Sequence, residues 1–150
     1  MVENIRTHTN NCTICAQANP PNVNYGAAGL IEPSDHPMES LSLDVMGPYV
    51  TSSRGHSFIL VLILDFAKYV WTAAAPSQTS RRLRVFLEGE WSLFGLPKTL
   101  RTDNGKPMVS GQFEAYLSQR GIKHLLATPY NPEGNGLVER ANRTLGYTLR

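Results

Sequence analysis

R-T-D-N-G, Arg101 to Gly105, followed by V-E-R-A-N-R-T-L from Val138 to Leu145, is the text that decides how this chain folds. Thirty-five residues lie between Asp103 and Glu139, and ahead of both stands Asp44 in L-D-V-M-G-P, Leu43 to Pro48. All three acids sit where a carboxylate suits metal chemistry better than packing. Asp44 interrupts an apolar strand-like run, Asp103 ends one, and Glu139 opens a basic helix.

Around Asp44 the residues alternate. Leu41, Leu43 and Val45 share one face and Ser42, Asp44 and Met46 the other, so Asp44 points away from the aliphatic side. His56 to Leu64 contains F-I-L-V-L-I-L, an unbroken apolar run, short enough to be a strand buried on both faces and central to a sheet. A turn over Asp65 to Lys68 and a strand over Tyr69 to Ala75 complete an antiparallel meander. From Thr79 to Phe94, apolar residues at Leu83, Phe86, Leu87 and Phe94 form the stripe of an amphipathic helix ended by Gly95 and Pro97. Glu90 lies on that stripe without a sequence-level account. Thr99 to Thr102 forms a short strand that delivers Asp103 into the D-N-G turn. Ser110 caps a helix burying Phe113, Tyr116 and Leu117, Gly121 closes it, and Ile122 to Ala127 is the last strand.

In the terminal segment, Asn135, or Asn131 with Pro132 behind it, caps a helix with Glu139 in or near its first turn, where the dipole favours a carboxylate. At 3.6 residues per turn Glu139, Asn142, Arg143 and Arg150 share one face, and Val138, Ala141, Leu145 and Leu149 share another. One face packs and the other meets phosphate.

The 150 residues carry a formal charge of +2, a weak electrostatic footprint, so nucleic-acid affinity depends on where the basic residues cluster. They cluster at Arg140, Arg143 and Arg150, and again at Arg81, Arg82 and Arg84. No apolar run is long enough to span a bilayer and the first ten residues are polar, which predicts a soluble intracellular protein without membrane partners. From Ala16 to Pro37 the text is rich in Asn, Pro, Gly and Ala and reads as an irregular linker. Cys12 and Cys15, at C-x-x-C spacing, admit three readings: half of a zinc site, a redox pair, or coincidence. His8 supplies at most a third local ligand, short of the four that zinc takes.

These motifs, with F-G-L-P at Phe94 to Pro97 and P-Y-N-P-E-G-N-G-L-V-E-R at Pro129 to Arg140, resemble the catalytic core of retroviral and long-terminal-repeat retrotransposon integrases from about His8 onward. The resemblance implies a ribonuclease-H-like α/β fold, a five-stranded mixed sheet flanked by helices. It implies residues 1–15 as the end of a zinc-binding domain, 16–37 as linker and 38–150 as catalytic core, cut short at its C-terminus. Asp44, Asp103 and Glu139 become the catalytic triad, holding Mg²⁺ or Mn²⁺; zinc belongs only with ligands upstream of Cys12 and Cys15. The implied reactions are trimming of 3′ ends of element DNA and their joining to target DNA, both phosphoryl transfers at one site. Asn142, Arg143, Arg140 and Asn131 are the implied DNA contacts. Double-stranded DNA and further copies of the chain are the implied partners, and the host nucleus and the virion or virus-like particle the implied locations. Where the family has histidine and glutamine in the P-Y-H-P-Q-G-N-G loop, this chain has Asn131 and Glu133, and after D-N-G it inserts Lys106, Pro107 and Met108 before Phe113.

Taken singly, the acids have ordinary readings: a strand-face residue, an Asx-turn former and an exposed helix residue. Asp65 and Asp35 keep such readings, in a turn and in the linker. The competing function is a domesticated, catalytically silent integrase-like module that binds DNA or protein. A ribonuclease H proper or a related transposase suits the chemistry but not the P-Y-N-P-E-G-N-G text.

Overall fold

The computed structural model describes Cys12, residues 34–127 and residues 141–146. Strands β1 (Ser40–Met46), β2 (Phe58–Leu64) and β3 (Val70–Ala75) are followed by helix α1 (Ser80–Phe94), β4 (Thr99–Thr102), helix α2 (Gly111–Ser118) and β5 (Lys123–Leu126). They form one five-stranded sheet in the order β3-β2-β1-β4-β5. The β1/β2 and β2/β3 pairs are antiparallel, as the short connections require, and β1/β4 and β4/β5 are parallel, each crossover carrying a helix. This is the mixed sheet of a ribonuclease-H-like domain.

Alternation divides each strand between two environments. Leu41, Leu43, Leu60, Leu62, Leu64 and Leu100 project into the main core, where α1 contributes Leu83, Phe86, Leu87 and Trp91 and α2 contributes Phe113, Tyr116 and Leu117. On the opposite face Val61 and Ile63 pack with Ala141 and Leu145 from helical residues 141–146. The expectation that β2 is buried on both faces therefore holds, but the middle strand is β1. A long apolar run reports cover on two faces, and β2 obtains it beside the centre because the terminal helical residues lie across its second face. The middle strand, by contrast, is polar on that face.

The α1 stripe also differs in its last member. Trp91, eight residues after Leu83, is the buried one, while Phe94 is half exposed and packs at the sheet edge with its ring 5.2 Å from that of Trp71. Continuing the stripe through Trp91 leaves Glu90 half-buried at its margin, rather than on it. Ser110 caps α2 by accepting from the Phe113 amide at 3.4 Å. The residues inserted after D-N-G have a packing role: Met108 is fully buried, and the Pro107 carbonyl accepts from the hydroxyls of Ser80 and Ser110 at 2.7 and 2.8 Å, tying the starts of the two helices together.

Tyr116 joins the two helices. Its ring stacks on Trp91 with centroids 5.8 Å apart, and the Arg120 guanidinium lies 3.9 Å above it. Burial pushes its phenol up to about 12 from an ordinary 10.0. Above pH 10 the unfolded chain thus loses a proton that the folded chain keeps, and stability falls as pH rises from 10 to about 12. Tyr116→Phe removes that component. Urea midpoints measured across this range should decline less steeply for the variant than for the wild type, and equal slopes would contradict the burial argument.

Candidate active site on the polar face of the sheet

The parallel register of β1 and β4 pairs Ser42 with Arg101 and Leu43 with Thr102. One step further along both strands, Asp44 comes level with Asp103, which lies just past the end of β4. Neighbouring strands run about 5 Å apart, and both residues lie on the face away from α1 and α2, so the two carboxylates are neighbours. The sequence expectation is met in position: Asp44 lies in a strand, off the aliphatic face, and Asp103 at a strand's carboxyl end.

Each carboxylate is oriented by a neutral donor. The Asp103 Oδ1 atom accepts from the Gly105 amide at 2.9 Å, closing an Asx turn over D-N-G. Glycine suits this position: a Cβ at Gly105 would meet Asp103 Oδ1 at 2.9 Å, and the carboxylate would have to shift. The Asp44 Oδ2 atom accepts from Asn142 Nδ2 in a short hydrogen bond, while Asn142 Oδ1 is buried with no partner among the described residues. Ala141 and Leu145, seated on Val61 and Ile63, hold Asn142 over Asp44. Asp44 Oδ1 and Asp103 Oδ2 have no hydrogen-bond partner among the described residues.

Of the other candidates, Arg143 is exposed on the terminal helical residues. Asn142, expected to meet DNA, faces the acidic pair. Cys12 is half-buried. Glu139, Arg140, Asn131 and Cys15 lie outside the described residues, and among those described no group of three His, Cys, Asp or Glu residues comes together as a metal site. No helix among them is long and apolar enough to cross a membrane.

One buried group escaped sequence reading. Asp65 does sit in the turn after β2, but its side chain folds back onto the polar face and is only 7% exposed. It accepts from Ser40 Oγ at 2.6 Å and from Ser42 Oγ at 2.8 Å, and its Oδ2 atom is 3.5 Å from Arg101 Nη1. The signal was the spacing of Ser40, Ser42 and Asp44, a polar row in the middle strand whose hydroxyls need an acceptor once covered. Beyond β4, His124 bridges Thr102 Oγ1 at 2.9 Å and Glu114 Oε2 at 2.6 Å, bracing the strand that carries Asp103.

A mixed five-stranded sheet bearing paired carboxylates on its middle strand and at the end of the next defines a ribonuclease-H-like protein with an acidic site. The family described as Integrase core domain matches residues 34–132. The chain is also 31% identical over 148 residues to the Gag-Pro-Pol polyprotein of simian retrovirus SRV-1, covering 98% of this chain and 8% of that polyprotein. It is 28% identical over 142 residues to the Pro-Pol polyprotein of feline foamy virus, covering 95% and 12% respectively. In fold it is similar to a chain of the simian T-cell lymphotropic virus intasome solved by cryo-electron microscopy in complex with PP2A regulatory subunit B56 gamma. That match has a TM-score of 0.70 at 24% identity, covering 99% of this chain and 53% of that one. This protein belongs to the integrase core domain family. It spans about a tenth of the length of the polyproteins it matches.

The Asx turn yields a local prediction. Gly105→Ala should drive the Asp103 carboxylate off the residue-105 amide, costing about 0.5–1.5 kcal/mol for the lost hydrogen bond. Hydrogen exchange at that amide should accelerate while amides in β2 keep their protection. Unchanged exchange at residue 105 would show that the turn accommodates a Cβ.

Proposed function

We propose that this chain is the catalytic core of a metal-dependent polynucleotidyl transferase that trims the 3′ ends of element DNA and joins them to target DNA. The observation that carries this reading is the β1/β4 register, which brings Asp44 and Asp103 level on one face. Two unit charges about 4 Å apart repel by roughly 4 kcal/mol at an effective dielectric near 20, so a pair whose donors among the described residues are neutral calls for a cation. The donor set is all oxygen, which suits a hard divalent ion such as Mg²⁺ or Mn²⁺, and among the described residues two carboxylate oxygens have no partner. Asp44, Asp103 and Glu139 would hold it. Bound there, the metal supplies Lewis-acid stabilisation at phosphorus and a lowered pKa for the attacking water or 3′-hydroxyl.

The chain's own residues do the positioning. Gly105 fixes the rotamer of Asp103, and Asn142 fixes that of Asp44 while tying the terminal helical residues to the middle strand. Arg143, exposed one residue further on, is offered to a DNA phosphate beside the reacting one, with Arg140 and Asn131 as further contacts. Duplex DNA ends and target DNA are the proposed partners, in an assembly of several copies. The proposed setting is a polyprotein product acting in the particle and in the host nucleus. Residues 1–15, with Cys12 and Cys15, are proposed as the end of a zinc-binding domain, 16–37 as the linker and 38–150 as the core.

Asp103→Asn should abolish both calorimetric Mn²⁺ binding and splicing of branched DNA in a disintegration assay. Metal binding and splicing retained by this variant would overturn the reading. A well-folded wild type that binds no Mn²⁺ would favour the catalytically silent module instead. Separately, Arg143→Ala should weaken duplex binding about equally for all sequences and reduce the slope of log K against log[salt] by about 1. An unchanged slope would remove Arg143 from the phosphate contacts.

A further inference from the structure

Arg101 is a permanent cation on the face that carries the acidic pair. It precedes Asp103 by two residues, so their Cα atoms lie about 7 Å apart along the strand, and Asp44 lies one level along the adjacent strand. Both carboxylates are within reach of an extended arginine side chain. Its own side chain is only 16% exposed, so solvent screens it weakly and a counter-charge is favoured. Among the described residues, Asp44, Asp65 and Asp103 therefore compete for the Arg101 guanidinium.

Asp65 takes it. The Ser40 and Ser42 hydroxyls each donate to one Asp65 oxygen, fixing the carboxylate plane, and Arg101 Nη1 approaches the Oδ2 atom. The sheet does not impose this polar row, because on the neighbouring strand the same face is Val61 and Ile63. Meanwhile, among the described residues, Asp44 and Asp103 receive uncharged donors, an amide side chain and a backbone N–H. The Arg101 charge is thus paired at the far end of the row rather than at Asp44 or Asp103.

We infer that Asp65, held by Ser40 and Ser42, is a positioning residue that keeps the Arg101 guanidinium off Asp44 and Asp103 and so leaves the pair open to a divalent cation. This rests on the proposed metal-dependent site and adds to it a group that touches neither metal nor DNA. Without Asp65, Arg101 would turn to the nearest remaining carboxylate and compete with the metal for it.

The test is Mn²⁺ calorimetry on the full chain as wild type, Asp65→Asn, Arg101→Gln and the double variant, with thermal midpoints recorded alongside. Asp65→Asn should bind Mn²⁺ about 10–100-fold more weakly, as removal of groups that support metal ligands commonly does. The double variant should return to within about threefold of wild type, because the competing cation is gone, even though its melting temperature stays low. Arg101→Gln alone should bind about as tightly as wild type, since Asp65 already occupies the guanidinium there. Wild-type affinity in Asp65→Asn, or no recovery in the double variant, would overturn the inference and reduce the network to a structural ion pair. If the wild type itself binds no Mn²⁺, the failure lies with the proposed site. Should Asp65→Asn not fold, the Ser40→Ala/Ser42→Ala chain keeps the charge but frees the carboxylate. It should show weakened Mn²⁺ binding that Arg101→Gln restores, and unweakened binding would equally overturn the inference.

Discussion

The parallel pairing of β1 with β4 is the constraint on which the rest depends. It joins two segments nearly sixty residues apart in sequence, with Ser42 opposite Arg101 and Leu43 opposite Thr102. A slip of one residue would turn the Leu41 and Leu43 side chains, or that of Leu100, from the core to the polar face. Burial of those leucines thus enforces the register, and the register sets Asp44 beside Asp103. The hydrophobic core of the domain is in this sense the device that assembles its acidic site.

The second face is organised differently. Val61 and Ile63 give the terminal helical residues an apolar seat, and Ala141 and Leu145 occupy it. That contact is small beside the main core, yet it brings Asn142 onto Asp44. One half of this face is therefore greasy and fixes a helix, while the other is a polar row from Asp65 through Ser42 to Asp44. Along that row the arginine is paired with Asp65 at one end, and Asp44 lies half-buried at the other.

Much of this was legible in the sequence because the signals were local. Alternation at Leu41 to Met46 gave the direction of Asp44, the D-N-G turn gave the setting of Asp103, and Ser110 announced α2. Signals that depended on partners far along the chain were not legible. The burial of β2 on both faces suggested the middle strand, because nothing in F-I-L-V-L-I-L says whether a strand or a helix supplies the second cover. Phe94 satisfied the helical stripe as well as Trp91 did, and only the sheet edge beside Trp71 drew it outward. Asp65 looked like any turn aspartate, since its serine partners precede it by more than twenty residues and its arginine follows by more than thirty. Met108 appeared as a departure from the family pattern and proved to be core.

Paramagnetic broadening by Mn²⁺ in the isotope-labelled chain tests the central claim, that register and turn create one cation site from Asp44 and Asp103. Substoichiometric Mn²⁺ should first broaden the amides of residues 44, 103 to 105 and 142, while those of β3 and α1 stay sharp. Broadening centred elsewhere, for example at the exposed Glu88, or spread evenly over the surface acids, would contradict it.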